Sequence, residues 1–455
     1  IFLVLIPYVG DNDFWLHLRM GEILVEEGYF PRTDILSFTN EGKEWINHEW
    51  LPQVVFYQLF KYGGFAAVSL FTALAGTALF ALTLYGRKLS WPIAVSLFLV
   101  AYGLKLFIVP RPQIFAYLLL LSLVLIIEWY RRTGNKKIII VLPAILLLWS
   151  NIHASVILAI PILFFVLIFE KNKKWLLISS LAAVGLTLLN PFGYKIYWQA
   201  LQPFRFSGAY HALLETQPIY KVLYQPSLLF THLAIIFTVF WHILRKRLTV
   251  LRPYELAIFI LFLAMPFVAV KYTPFAWAAV VPLFLKTVPN LNRKSAINLV
   301  VAGVVVVSTV IFINDRNLFK DPYNEWPKDM ATFIKTNNLK GNFYNPYSWS
   351  GYFAWENKEP VFINVALANL GGDVFWDGLD FEKGERVDEV IEKYGLSVIV
   401  SPPWVPMPYA VSVKEDWSLV YWDNFGGVFA RRGHGNDATI KKYGLTLKYF
   451  NDSVE

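Results

Sequence analysis

The chain has 455 residues, 56% of them hydrophobic and only 16% charged, against about 25% charged in an ordinary soluble domain. With a mean hydropathy of +0.45, one water-soluble core cannot hide this much apolar surface, so the solvent must be partly lipid. The net charge of +8 falls mostly in short loops between apolar runs, which marks topology rather than a nucleic-acid partner, and the absence of Cys excludes a disulfide framework, a thiolate metal site and a Cys nucleophile.

A membrane helix needs about 20 mostly apolar residues. Such runs lie near 1–9, 65–85, 91–109, 113–129, 138–150, 153–169, 175–190, 227–244, 255–270, 272–287 and 296–314, giving about eleven spans by that length criterion. Ile1 opens in mid-run without a Met or a basic stretch, so further residues are expected upstream and no signal peptide is assigned. Asn151 and His153 make a polar break inside the long run from 138 to 169.

The Lys/Arg distribution orients the spans. Alternate loops carry Arg87 and Lys88; Arg131, Arg132, Lys136 and Lys137; Lys171, Lys173 and Lys174; Arg245, Lys246, Arg247 and Arg252; Lys286, Arg293 and Lys294. The intervening short loops carry only Arg111 and Lys271. The first set is therefore cytoplasmic. The reading divides the chain into a transmembrane domain, 1–314, with outer loops 10–64 and 191–226, and a soluble extracytoplasmic α/β domain, 315–455.

Just after the first run, Asp11, Asp13, His17 and Arg19 follow Gly10. Charged groups at the edge of a bilayer are costly unless they do something. Asp11 is expected in the loop and Asp13 in the first turn of the next helix, where an acidic residue also suits the helix dipole. The plainer alternative is an N-cap followed by acidic first-turn residues. Transfer of a sugar to a hydroxyl needs a base for that proton and charge control at the departing phosphate. One aspartate can be the base. The other, with His17 one helical turn on from Asp13, can hold a divalent metal, Mg or Mn, and His48 and Glu49 offer further ligands from the same loop. Residues 19–28 read as a short helix ended by Gly28. Residues 49–62 read as an amphipathic helix that either lies in the interface plane or packs on the spans.

Further along, Lys105, Arg111 and Lys271 fall at outer ends of spans, and His153 lies in the short outer break. They are either snorkelling anchors or cations converging on a lipid phosphate; Arg111, Lys271 and His153 are the candidate donor-phosphate ligands. Asn190-Pro191-Phe192-Gly193-Tyr194 ends a span at a defined point, and the aromatics after it either anchor at the interface or line a groove. In the tail, helices are expected at 325–338 and 386–394, strands at 341–345, 361–365 and 397–401, and a hairpin of 419–423 with 427–431 around Asn424-Phe425-Gly426. Residues 433–455 form a polar end without an assigned place.

Together these residues resemble the GT-C superfamily of polytopic glycosyltransferases, and more narrowly a prokaryotic group related to the dolichyl-phosphate-mannose protein mannosyltransferases. The matching pieces are Asp11-Asn12-Asp13-Phe14-Trp15-Leu16-His17-Leu18 with Gly21, Pro31-Arg32-Thr33-Asp34 with Ser37, Glu49-Trp50-Leu51, Arg111-Pro112-Gln113, Asn151-Ile152-His153, Asn190-Pro191-Phe192-Gly193, Lys271-Tyr272 and Ser350-Gly351-Tyr352. The resemblance implies a base among the first-loop carboxylates, carried over to Asp11 or Asp13 with Asp11 preferred. It also implies a polyprenyl-phosphate sugar donor, a glycan, lipid or protein acceptor, and work at the outer face of the plasma membrane. Two departures stand out. Lys271 stands where many relatives have Arg, and Asn364-Val365-Ala366 stands where they often show an Asp-Gly-Arg-like strand end. The rival readings are a non-catalytic scaffold subunit of a membrane complex and a transporter of lipid-linked glycans; the nearly charge-free spans disfavour the transporter.

Overall fold

The structure is a computed structural model that describes residues 1–85, 103–170, 173–202, 214–222, 251–286, 322–364 and 373–445, together with Ile93, Leu97, Val100 and Ala101. The runs expected at 227–244 and 296–314, and part of 91–109, lie outside the described residues. The described residues are mostly helical with one small mixed sheet. It forms two compact units: residues 1–9, 48–55 and 59–319 make the first, and residues 10–47, 56–58 and 320–455 make the second. Residues 10–47 thus cluster with residues 320–455.

In the first unit, two helices among the described residues are long and apolar enough to cross a membrane: Trp50–Thr83 and Gln113–Thr133. The first of these joins two elements that the sequence reading separates, an amphipathic helix and the span that follows it. They meet at Gly64, whose backbone (φ 60°, ψ −159°) lies where only glycine is comfortable. Shorter apolar helices are Val141–Ser150, Ala159–Phe169, Lys174–Leu186, Pro253–Ala264 and Thr273–Phe284. The break expected at Asn151 and His153 is present between Val141–Ser150 and the 3-10 turn Ala154–Leu158. At the ends bearing the basic loops, Lys286 bridges Glu128 (2.9 Å) and Glu255 (2.7 Å) and ties three of these helices together.

The apolar run 1–9 corrects the expectation of a helix end. Only Leu3–Leu5 turns helically, because Pro7 cannot continue a helix. The run lies against helix Trp50–Thr83 instead: Ser69 Oγ donates to the Pro7 carbonyl (3.0 Å).

In the second unit, four strands form a sheet ordered β1-β2-β4-β3: β1 Asn342–Tyr344, β2 Leu396–Ser401, β3 Trp417–Asp423 and β4 Gly426–Arg431. β1 pairs parallel to β2 and the rest are antiparallel. β3 and β4 form the expected hairpin. Residues 361–364 do not form the expected strand. Val361 makes one isolated bridge, to Ser37, and its backbone partners are Leu36 O and Phe38 N. The apolar pattern there reflects burial of Val361, Phe362 and Ile363 rather than sheet pairing. Helices Ser350–Asn357, Asp373–Glu382, Met407–Ser412 and Asp437–Tyr443 are additions to the expected elements.

Candidate active site

The first-loop cluster sits on helix Asn12–Glu26, which starts well before the expected residue 19. Asp11 is its N-cap, with Oδ1 accepting from Asp13 N (3.4 Å). Asp13 is acidic in the first turn, where the helix dipole favours a negative charge. The plainer alternative for the pair is therefore realised locally. Both side chains are half-buried.

What fixes this helix is Asn12, between the two carboxylates. Its amide donates to Tyr347 O (2.9 Å) and Ser350 Oγ (3.4 Å), and its Oδ1 accepts from Gly351 N (2.9 Å). Gly351 is required, since a Cβ there would stand 2.1 Å from Asn12 O. Trp15, fully buried, packs edge-on against Tyr352 at 5.2 Å. The segments Asp11-Asn12-Asp13 and Ser350-Gly351-Tyr352 are thus one interlocked structure.

A second tie lies at Asp34, fully buried. Its carboxylate accepts from Leu36 N (2.8 Å), Ser37 N (3.1 Å), Ser37 Oγ (2.5 Å) and Asn364 Nδ2 (3.0 Å). Burial pushes its pKa above the ordinary 3.8, and these neutral donors only partly offset that.

His17 and Arg19 do not take the expected places. His17 is 3% exposed with its ring 6.5 Å from Phe56, and among the described residues no third ligand joins it with Asp13. It faces the core because position 17 falls on the buried side that Phe14 and Leu18 also occupy. Arg19 is engaged by Glu22 (2.8 Å) on its own helix and by Glu27 (3.1 Å) at that helix's C-cap.

The first unit holds a different constellation. Glu49 is the N-cap residue of helix Trp50–Thr83, a position whose partial positive charge suits a carboxylate. His153 Nε2 lies 3.5 Å and His48 Nε2 3.8 Å from Glu49 Oε1. The two imidazoles stand 5.3 Å apart, and all three side chains are 15–18% exposed. The sequence places His48 and Glu49 in one loop and His153 in another; the fold brings them together.

The local sequence explains how His153 is aimed. The helix Val141–Ser150 ends at Asn151, and His153 caps the following turn, its Nδ1 accepting from Ser155 N (3.0 Å). Ser155 Oγ in turn accepts from buried Trp149 Nε1 (3.0 Å). With Nδ1 an acceptor, the proton of a neutral imidazole sits on Nε2, facing Glu49.

The constellation continues outward. The His153 ring lies 6.3 Å from Phe275, and Phe275 stands edge-on to Tyr117 at 4.8 Å. Tyr117 is within electrostatic reach of Arg111 and Glu215, which pair at 3.1 Å. Val270 N donates to Gln217 O (2.9 Å), so the turn that carries Lys271 is stitched to the segment that carries Glu215. Sequence reasoning passes over Tyr117, Phe275 and Glu215. Glu215 leaves one signal: it is the sole carboxylate in residues 191–226.

Lys105 lies in the turn Lys105–Phe107. Asn190 closes its own turn, donating to Thr187 O (2.6 Å) and Gly193 O (2.8 Å) and accepting from Phe192 N (2.7 Å).

His48, Glu49 and His153 have the donor types that hold a divalent ion. The hydrogen bonding of His153 does not match that use. A ligating histidine normally donates its second N–H to a carbonyl or carboxylate, whereas His153 Nδ1 accepts a backbone N–H. As held, His153 turns an N–H toward Glu49, which suits hydrogen-bond donation better than metal ligation.

No protein-family profile matches the chain, and no curated protein does. Solved structures of the oligosaccharyltransferase of Archaeoglobus fulgidus do match in fold. The apo form aligns at TM-score 0.59 with 11% identity, over 94% of this chain and 71% of that one. The archaeal enzyme AglB in complex with an inhibitory peptide and a dolichol-phosphate aligns at 0.61 with 11% identity, over the same shares. The form tethered to an acceptor peptide with the NVT sequon aligns at 0.60 with 11% identity, over 93% and 70%. At 11% identity this likeness is one of fold.

Proposed function

We propose that the chain is a membrane glycosyltransferase that moves a sugar from a polyprenyl-phosphate-linked donor to an acceptor hydroxyl or amide at the outer face of the plasma membrane. The observation that supports this most is the line of residues from His48, Glu49 and His153 to Arg111, on a fold shared with enzymes solved with dolichol-phosphate. About eleven spans, one for each apolar run in the sequence, and an extracytoplasmic tail complete the reading.

In this reading the donor phosphate meets Arg111, Lys271 and His153, whose one Nε2–H is shared between the phosphate and Glu49, 3.5 Å away. Arg111 presents a fork that suits phosphate oxygens, and Lys271 a point charge. The bond between sugar C1 and the phosphate oxygen breaks as the acceptor atom bonds to C1. The phosphate keeps the electron pair and leaves as an anion stabilised by these donors. Asp11 takes the acceptor proton, and its cap hydrogen bond orients the carboxylate. Asp13 adds negative charge beside it. Glu49, anchored at a helix start, orients both histidines.

The test is turnover of radiolabelled polyprenyl-phosphate sugar by the full chain in membranes. Wild type should release polyprenyl phosphate, and Asp11→Asn should slow release by about 100-fold or more, the usual worth of a general base. Unchanged transfer by a normally expressed Asp11→Asn variant would remove Asp11 from the base role. Donor left intact but moved across the bilayer would favour transport. No turnover by wild type, with a partner protein that stays bound through purification, would favour a scaffold.

A further inference from the structure

Residues 402–413, Pro-Pro-Trp-Val-Pro-Met-Pro-Tyr-Ala-Val-Ser-Val, connect β2 to the turn before β3 without a charged side chain. Inside this stretch, helix Met407–Ser412 buries Met407 and Val411 completely. A surface helix of a soluble domain then turns polar residues outward. Here the opposite side carries Tyr409, 68% exposed, with Val413 beyond it at 57% and Trp404 before it at 70%. Pro403 and Pro406 are exposed beside them. Trp404 meets Trp349 at 6.4 Å with the ring planes at 82°. The segment is apolar on its inner and outer sides alike, a property of helices that are buried or in contact with lipid.

We propose that this surface is a lipid-contacting lip, seated in the lipid–water interface of the bilayer. Three observations favour lipid over a glycan. Trp and Tyr are the residues that prefer the interface, with an apolar body and a polar tip. A sugar site also needs side-chain donors and acceptors around its aromatic platform, and the two serines at the edges are committed: Ser401 Oγ to Pro402 O (3.1 Å) and Ser412 Oγ to Tyr409 O (2.8 Å). Finally, the unit that bears the lip is joined in sequence to apolar segments at both ends of residues 10–47, the run 1–9 and helix Trp50–Thr83. Such tethering keeps a bilayer at high effective concentration, so a small apolar surface suffices. The proposal requires the chain to reside in a bilayer and none of the transfer chemistry.

The natural chain lacks Cys, so single variants Trp404→Cys and Tyr409→Cys each take one nitroxide label without background. Lys441→Cys, at an exposed position on helix Asp437–Tyr443, is the control. The full chain is placed in phospholipid nanodiscs, and collisions with oxygen, which partitions into lipid, are compared with those of an aqueous nickel chelate. The oxygen-to-nickel ratio at 404 and 409 should be several-fold above that at 441. A ratio at both positions equal to the control would overturn the lip. So would labels shielded from both reagents, which would indicate a protein partner or a second copy, and shielding that develops only when lipid-linked sugar is added, which would indicate a glycan site. Two independent positions separate a local folding fault from a negative result.

Discussion

If Arg111 binds the donor phosphate as proposed, its ion pair with Glu215 sets part of the donor affinity. Its partner Glu215 is 46% exposed at the side chain, and an exposed pair of this kind is worth about 0.2–1 kcal/mol. A phosphate arriving at Arg111 must displace that carboxylate. Glu215→Gln should therefore tighten binding of polyprenyl phosphate by up to about fivefold, read by titration in nanodiscs; weaker binding would mean that Glu215 helps to hold the ligand. Arg111→Lys keeps the charge but loses the fork, so the donor KM should rise more than kcat falls. Asp34 supplies a pH dependence. Its raised pKa means that the folded chain holds the proton more tightly than the unfolded one, so its contribution to stability falls as pH rises from about 3.8 through the folded value. Asp34→Asn should lose less melting temperature than wild type between pH 4 and pH 7, as measured by thermal unfolding in detergent. An identical slope would show that Asp34 is ionised throughout.

Among the elements, the contact of helix Asn12–Glu26 with helix Ser350–Asn357 is the most constrained. Gly351→Ala places a methyl against Asn12 O, so backbone must move, and a cost of about 1–3 kcal/mol is expected, as for overpacking in a tight contact. Limited proteolysis should detect a loosened second unit; unchanged protection would show that the helices can slide apart freely. This contact is not legible in the sequence. Asn12 and Gly351 are 339 positions apart, and neither periodicity nor composition links two polar segments at that range. Other elements are legible for clear reasons. The β3–β4 hairpin carries its turn residues between two apolar alternations, and Asn151 with His153 interrupts a run that would otherwise continue. The start of the first helix is harder to read, because two carboxylates one residue apart suit a reactive loop and a helix cap alike.

Over the whole molecule, the alternation of basic loops gives an expected topology that sums a weak signal over many positions, and among the described residues two helices are long and apolar enough to cross a membrane. The grouping of the first loop with the tail leaves no such signal, since it rests on individual hydrogen bonds at Asn12 and Asp34. The site is half legible. Arg111, His153, His48 and Glu49 are each singled out by residue type and place at a span end or in the first loop. The meeting of His153 with Glu49, and the link through Phe275 and Tyr117 to Arg111, depend on how helices from distant parts of the first unit pack. That line of residues is the core of the functional account, and one structure tests it directly: the full chain in nanodiscs with bound polyprenyl phosphate, by electron cryo-microscopy. The account predicts phosphate density within hydrogen-bond distance of Arg111, with the Arg111–Glu215 pair opened and the lipid tail leaving toward the bilayer. Density elsewhere, with Arg111 still on Glu215, would contradict it.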